Sequence, residues 1–155
     1  MSKFLEISPE TKTVFDKSLG DSILEREVNI KILANNSLKV IGSVIKANPL
    51  VNYMCNEDVI VLVNEVIFDQ LSPLQQSIVA DELLANIAYN METGAVSILK
   101  PDLSMHSGVL TKYGADPCIK LSEQIRLMFD QEKEKEAQAK EEKAAKAALK
   151  KASKK

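Results

Sequence analysis

"DVIVLVNEVIFDQLSPLQQSIVADELLANI", residues 58–87, changes its hydrophobic period part-way along, and that change sets the fold class. Residues 58–65 are a continuous apolar run rich in Val and bounded by acids. Its length and β-branched content predict a buried strand. Phe68 and Leu71 then mark a short helical turn. Ser72-Pro73 opens a helix, because Ser can cap and Pro fits the first helical position, where its missing donor would be unpaired anyway. Leu74, Ile78, Leu83 or Leu84, Ile87 and Ala88 recur at three- and four-residue intervals through Tyr89. That spacing predicts an amphipathic helix over 73–91.

Upstream, Ser8-Pro9 is a second helix start, with Phe15, Leu19 and Ile23 continuing an apolar face that Gly20 interrupts or ends. In residues 28–48, Ile30 and Ile32 alternate with polar neighbours, Asn35-Asn36-Ser37 supplies turn residues, and Leu38, Val40, Ile41, Val44 and Ile45 follow. The pattern reads as a hairpin, with a helix over 37–47 as its competitor. Downstream, Thr93-Gly94 breaks the chain and AVSIL (95–99) reads as a short strand. Pro101-Asp102 opens a turn, a helix covers Met105 to Tyr113, and Gly114 is placed to end it as a left-handed cap. A terminal helix restarts near Pro117 and carries Ile119, Leu121, Ile125, Leu127, Met128 and Phe129. The order predicts an α+β fold: a small antiparallel or mixed sheet packed on helices, followed by a helical Lys-rich tail.

The chain has 155 residues, 45% of them hydrophobic, with no Trp and 5% aromatic, so Leu, Ile, Val and Ala must fill one core. The division expected is a single domain over 1–130 and a charged extension over 131–155. The net charge is −2, but residues 131–155 hold nine Lys and five Glu, leaving an acidic body and a basic end. High helix propensity with nothing to bury predicts partial, frayed helicity in that tail. Cys55 and Cys118 form neither a disulfide framework nor a metal clip and read as free thiols. No signal-peptide core and no run of about eighteen apolar residues is visible, so no membrane partner and a cytoplasmic location are expected.

The strand, the Phe68-Asp69-Gln70-Leu71 turn, Glu82-Leu83-Leu84 and the later Lys112-Tyr113-Gly114 together resemble the small zincin-like metallopeptidases encoded by bacteriophages. The likeness runs over residues 28–114. In that family a His-Glu-Leu-Leu-His helix puts two imidazoles on one zinc, the Glu takes a proton from zinc-bound water, and a later Asp-His-Asp-like segment supplies the third ligand. On this chain the two His positions fall on Asp81 and Ala85, the general base on Glu82, and the third ligand on Pro101. Ala and Pro side chains cannot bind zinc. The resemblance therefore implies a degenerate scaffold with Glu82 as remnant, no cofactor, and a non-catalytic role in binding a host or viral macromolecule in the host cytoplasm.

Two alternatives stand beside it. Asp81, Glu82, Asp102 and His106, the sole histidine, form a weaker candidate metal set for a hydrolase, suited by ligand hardness to Mn or Mg. Against this, Asp81 and Glu82 can simply face solvent or pair with a Lys such as Lys100. The tail lysines Lys143, Lys146, Lys150, Lys151, Lys154 and Lys155 could make weak, salt-dependent contact with nucleic-acid phosphates, although the tail lacks the aromatic residues that would read bases. No glycine-rich phosphate loop exists.

Overall fold

The computed structural model describes residues 3–100 and 105–153. Asp102, Lys154 and Lys155, with the Pro101 turn, lie outside the described residues. The chain divides into two compact units, Met1–Leu121 and Ser122–Lys155.

The first unit is a mixed α+β domain. Strand β1 (Leu5–Glu6) leads to α1 (Pro9–Leu19), α2 (Ile23–Glu27), β2 (Ile30–Ala34) and β3 (Gly42–Lys46). Helix α3 (Pro49–Cys55), β4 (Val59–Val63), α4 (Glu65–Phe68) and α5 (Pro73–Ala85) follow. Then come β5 (Ile87–Tyr89), β6 (Val96–Ile98), α6 (Ser107–Tyr113) and α7 (Ala115–Ala152), which continues into the second unit.

β4 is the centre of a four-stranded sheet ordered β1-β2-β4-β3, parallel to β2 and antiparallel to β3. Every β4 residue except Ile60 is buried. A strand so apolar is best satisfied with a neighbour on each edge, and this corrects the expected 28–48 hairpin: β2 and β3 flank β4 and do not pair with each other. The turn residues explain the detour. The Asn35 amide donates to the Val63 carbonyl, Asn36 Oδ1 accepts from the Glu65 amide, and Asn64 donates through its side chain to Leu38 O and through its amide to Ile41 O. Loop 35–41 thus wraps the end of β4 and returns the chain on its far side, as a strand and not as the competing helix.

Gly42 sits opposite Val63 in this sheet, and a Cβ there would lie 2.6 Å from Leu83 Cδ1. The missing side chain lets α5 settle on the sheet. Phe15 of α1 and Phe68 of α4 are both 0% exposed and stack with centroids 6.0 Å apart, joining these two helices in the core.

Helix α5 begins as expected, with a full capping box between Ser72 and Gln75, but it ends at Ala85 instead of running to 91. Ile87 and Tyr89 fit a period of two as well as a helical one, and they pair with Ile98 and Val96 around a loop in which Asn90 Oδ1 caps Glu92 N and Thr93 N. The expected strand at 95–99 is therefore real, and it recruits the last turn of the expected helix as its partner. α6 matches its expected position, with His106 as N-cap. Gly114 closes it at φ 85°, ψ 161°, a positive φ with extended ψ, which differs from the left-handed cap expected there.

In the second unit α7 is helical through Ala152, where fraying was expected. No described helix is long and apolar enough to cross a membrane.

Candidate functional site

Ile78, Val79, Ala80, Leu83 and Leu84 are the buried residues of α5. The helical repeat then leaves Asp81 and Glu82 on the flank of that buried stripe, where the sequence left them to solvent or to a Lys such as Lys100. Asp81 does pair with a Lys, Lys112 of α6, and the two carboxylates each take one end of that helix.

Glu82 accepts the His106 backbone N–H on both carboxylate oxygens, at 3.0 and 3.1 Å. This satisfies a donor at the helix start with a charged acceptor, and the negative charge lies at the positive end of the short helix. At the other end, Tyr113 Oη donates to Asp81 Oδ2 at 2.5 Å and Lys112 Nζ donates to the same oxygen at 2.6 Å. Helical side chains lean toward the N-terminus, so Tyr113 reaches back along α6 to meet α5. Asp81 is only 12% exposed in its side chain while Lys112 is 62% exposed, so the ion pair itself contributes little and the phenol bond is the more sheltered contact. The hydrogen bond to Asp81 raises the Lys112 ammonium above its ordinary value. Burial, and then the bond to Asp81, raise the Tyr113 phenol. Both groups keep their protons across the physiological range.

The His106 ring is fixed by Asn86. Asn86 Nδ2 donates to the Glu82 carbonyl at 3.2 Å, which can only accept, so Oδ1 is the atom that faces His106 Nε2 at 2.9 Å. Nε2 therefore carries a proton. Asn86 itself, the residue that ends α5, carries no sequence signal for this role beyond its amide at a helix end.

Of the candidate metal set, Asp81, Glu82 and His106 are thus brought around one helix pair, each engaged in a hydrogen bond within the protein, while Asp102 lies outside the described residues. Among the described residues no group of three His, Cys, Asp or Glu side chains is placed to hold a metal ion. Cys118 is buried, and burial followed by the charge of Glu82 pushes its thiol up, away from a reactive thiolate. Cys55 is exposed. Lys143, Lys146, Lys150 and Lys151 are exposed along α7 in the second unit.

Beside the clamp lies a cleft of about 650 Å³, open to solvent. Its walls include Leu19, Leu24, Leu84 and Val109, with Asp81, His106 and Lys112 at the polar side. Ala85 also lines it and offers no donor or acceptor side-chain atom. Comparison with protein-family models, with curated proteins and with solved structures finds no match to this chain. The likeness to phage metallopeptidases rests on the residues quoted above.

Proposed function

We propose that this chain is a non-catalytic binding protein on a peptidase-like scaffold, and that it engages a host or viral protein in the cytoplasm of a phage-infected cell. One observation carries the reading. Glu82, which stands where a zinc peptidase keeps its general base, spends both carboxylate oxygens on the His106 amide. A base must be within reach of the water or substrate proton it removes, and a carboxylate committed to a backbone N–H is a structural acceptor. The hydrolase alternative would require Glu82 to release that amide and Asp81 to release Tyr113 and Lys112.

A macromolecular partner is favoured by α3. Its Leu50, Tyr53 and Met54 are 65%, 89% and 71% exposed, and aromatic and Met side chains are enriched in protein interfaces. The tail lysines Lys143, Lys146, Lys150 and Lys151, exposed along α7, are available for a weaker, salt-dependent phosphate contact.

The test is elemental analysis of the purified full chain together with a peptide-hydrolysis assay in added Zn or Mn. The reading expects no stoichiometric metal and no cleavage. A metal bound one-to-one and lost in Glu82→Ala, accompanied by metal-dependent cleavage, would overturn it.

A further inference from the structure

Helix α7 runs unbroken through the lysine-rich part of the chain, so its lysines hold fixed positions around one helix axis. At roughly 100° per residue, Lys140, Lys143, Lys146, Lys150 and Lys151 fall within an arc of about 140°. Ala147 is the one other residue of 140–151 in that arc, and Glu141 and Glu142 lie outside it. All five lysines are exposed. The ion pairs of this helix are made earlier along it, by Lys133 with Asp130 and by Lys135 with Glu132. Among the described residues the five lysines make none. Like charges three and four residues apart, as at Lys143, Lys146 and Lys150, destabilise a helix. Gathering them on one face therefore works against folding, and an anion laid along that face relieves the repulsion.

The face selects among anions. It extends about 17 Å along the axis and consists of ammonium groups with no apolar anchor among them. Protein interfaces centre on apolar and aromatic side chains and are depleted in Lys, so an acidic protein is a poor match. A membrane surface calls for a broad apolar face opposite the charge, but there α7 presents Ala144, Ala145, Ala148 and a lone Leu149. Single-stranded nucleic acid is gripped by stacking on aromatic rings, and residues 131–155 contain none. They contain no Arg either, the commonest reader of base edges. A nucleic-acid duplex carries one negative charge per about 1.7 Å of axis, a rigid array that a straight row of ammoniums can follow.

We infer that the Lys140–Lys151 face of α7 binds the phosphate backbone of double-stranded nucleic acid without reading its sequence. This deepens the phosphate contact named above by assigning it a face, a register and a duplex partner. The acidic body stays free for its own partner.

The experiment follows fluorescence anisotropy of a labelled 20-base-pair DNA duplex of mixed sequence as full-length protein is added, at 50 to 200 mM NaCl. Five contacts predict a log K against log [NaCl] slope of about −4.5 or steeper, roughly a several-hundredfold loss of affinity over that range. A decisive variant combines Lys146→Ala with Ala145→Lys and Lys150→Ala with Ala148→Lys. It preserves charge and composition and keeps good helix formers, so circular dichroism is expected to be unchanged while two ammoniums leave the face. Its slope is expected to be shallower by about 2, with affinity several-fold weaker. Equal binding by this variant would show an unstructured polycation in place of a face and overturn the inference. So would no binding at 50 mM NaCl, a single strand bound as tightly as the duplex, or displacement of the duplex by polyglutamate or phosphatidylserine vesicles at equal charge concentration. None of these outcomes touches the non-catalytic reading, which is tested by metal content and hydrolysis at Glu82.

Discussion

Helix α5 buries five of its thirteen residues, whereas α7 buries none beyond Leu121. The two are helical for different physical reasons. In α5 the apolar stripe fixes the helix against Gly42 and its sheet, so tertiary packing supplies the stability. In α7 past Leu121 the support is local. Lys150 and Lys151 stand in its last turn, where positive charge complements the helix dipole. Spaced pairs add to it, Glu132 with Lys135 at 3.1 Å and Asp130 with Lys133 at 3.9 Å. Thirty residues of such sequence exceed the length at which nucleation dominates, so the expected fraying gives way to a continuous helix.

The sharpest way to break this comparison is to remove one large side chain from each region. Phe68→Ala, at a fully buried ring stacked on Phe15, is expected to cost about 3–5 kcal/mol in urea denaturation. Leu149→Ala in α7, 71% exposed, is expected to stay within about 0.5 kcal/mol of the parent. Equal losses would show that the tail helix is stabilised by packing after all.

Next in size is the clamp between α5 and α6. Glu82→Ala leaves the His106 amide without its charged acceptor and is expected to cost about 1–2 kcal/mol. Glu82→Gln, which keeps an acceptor oxygen, should recover part of that. If both variants match the parent, the carboxylate is not a structural acceptor and the functional reading loses its support.

How much of this was legible beforehand follows the same division between local and non-local causes. The Ser8-Pro9 and Ser72-Pro73 starts were readable because a cap and a proline act within one turn. Asn48-Pro49 opens α3 by the same device, with Asn48 Oδ1 accepting from Val51 N, and could have been read the same way. β4 was readable because an unbroken apolar run needs cover on both faces. What was not readable depends on partners distant in the chain. β3 passes to the far side of β4 through hydrogen bonds from Asn35 and Asn64, and no local pattern distinguishes that from a hairpin. At the site, Asp81 and Glu82 were left to metal chemistry, solvent or a Lys such as Lys100; Asp81 does meet a Lys, but the partners of both lie 24 to 32 residues away, at α6. A carboxylate's spacing along a helix cannot say which of these fates it meets.

A pH measurement sharpens the clamp end of the comparison at smaller amplitude. The Tyr113 phenol is raised by burial and by Asp81, so the folded state holds that proton more tightly than the unfolded one. Its contribution is then complete below the unfolded value near 10 and is lost as pH rises through the folded value. Lys112, raised chiefly by the same carboxylate, moves in the same direction. Tyr113→Phe is therefore expected to be about 1 kcal/mol less stable at pH 8, with the gap to the parent closing above pH 10 in urea titrations. A gap constant across that range would mean that the loss does not come from the protonated phenol's bond to Asp81.

The finest test applies one substitution to both helices. Ala80→Gly in α5 removes a methyl group that is fully buried, so backbone entropy and packing act together. About 1 kcal/mol or more should appear as a lower denaturation midpoint for the first unit. Ala145→Gly in α7 carries a similar intrinsic penalty but sits on an exposed surface of a locally stabilised helix. There the loss should appear as weaker helical circular dichroism, enhanced by 1 M NaCl because screening weakens the Glu–Lys pairs, with the midpoint unmoved. The distinction lies in where the same penalty is felt: packing spreads it over a cooperative unit, whereas local pairing confines it to the turns nearby.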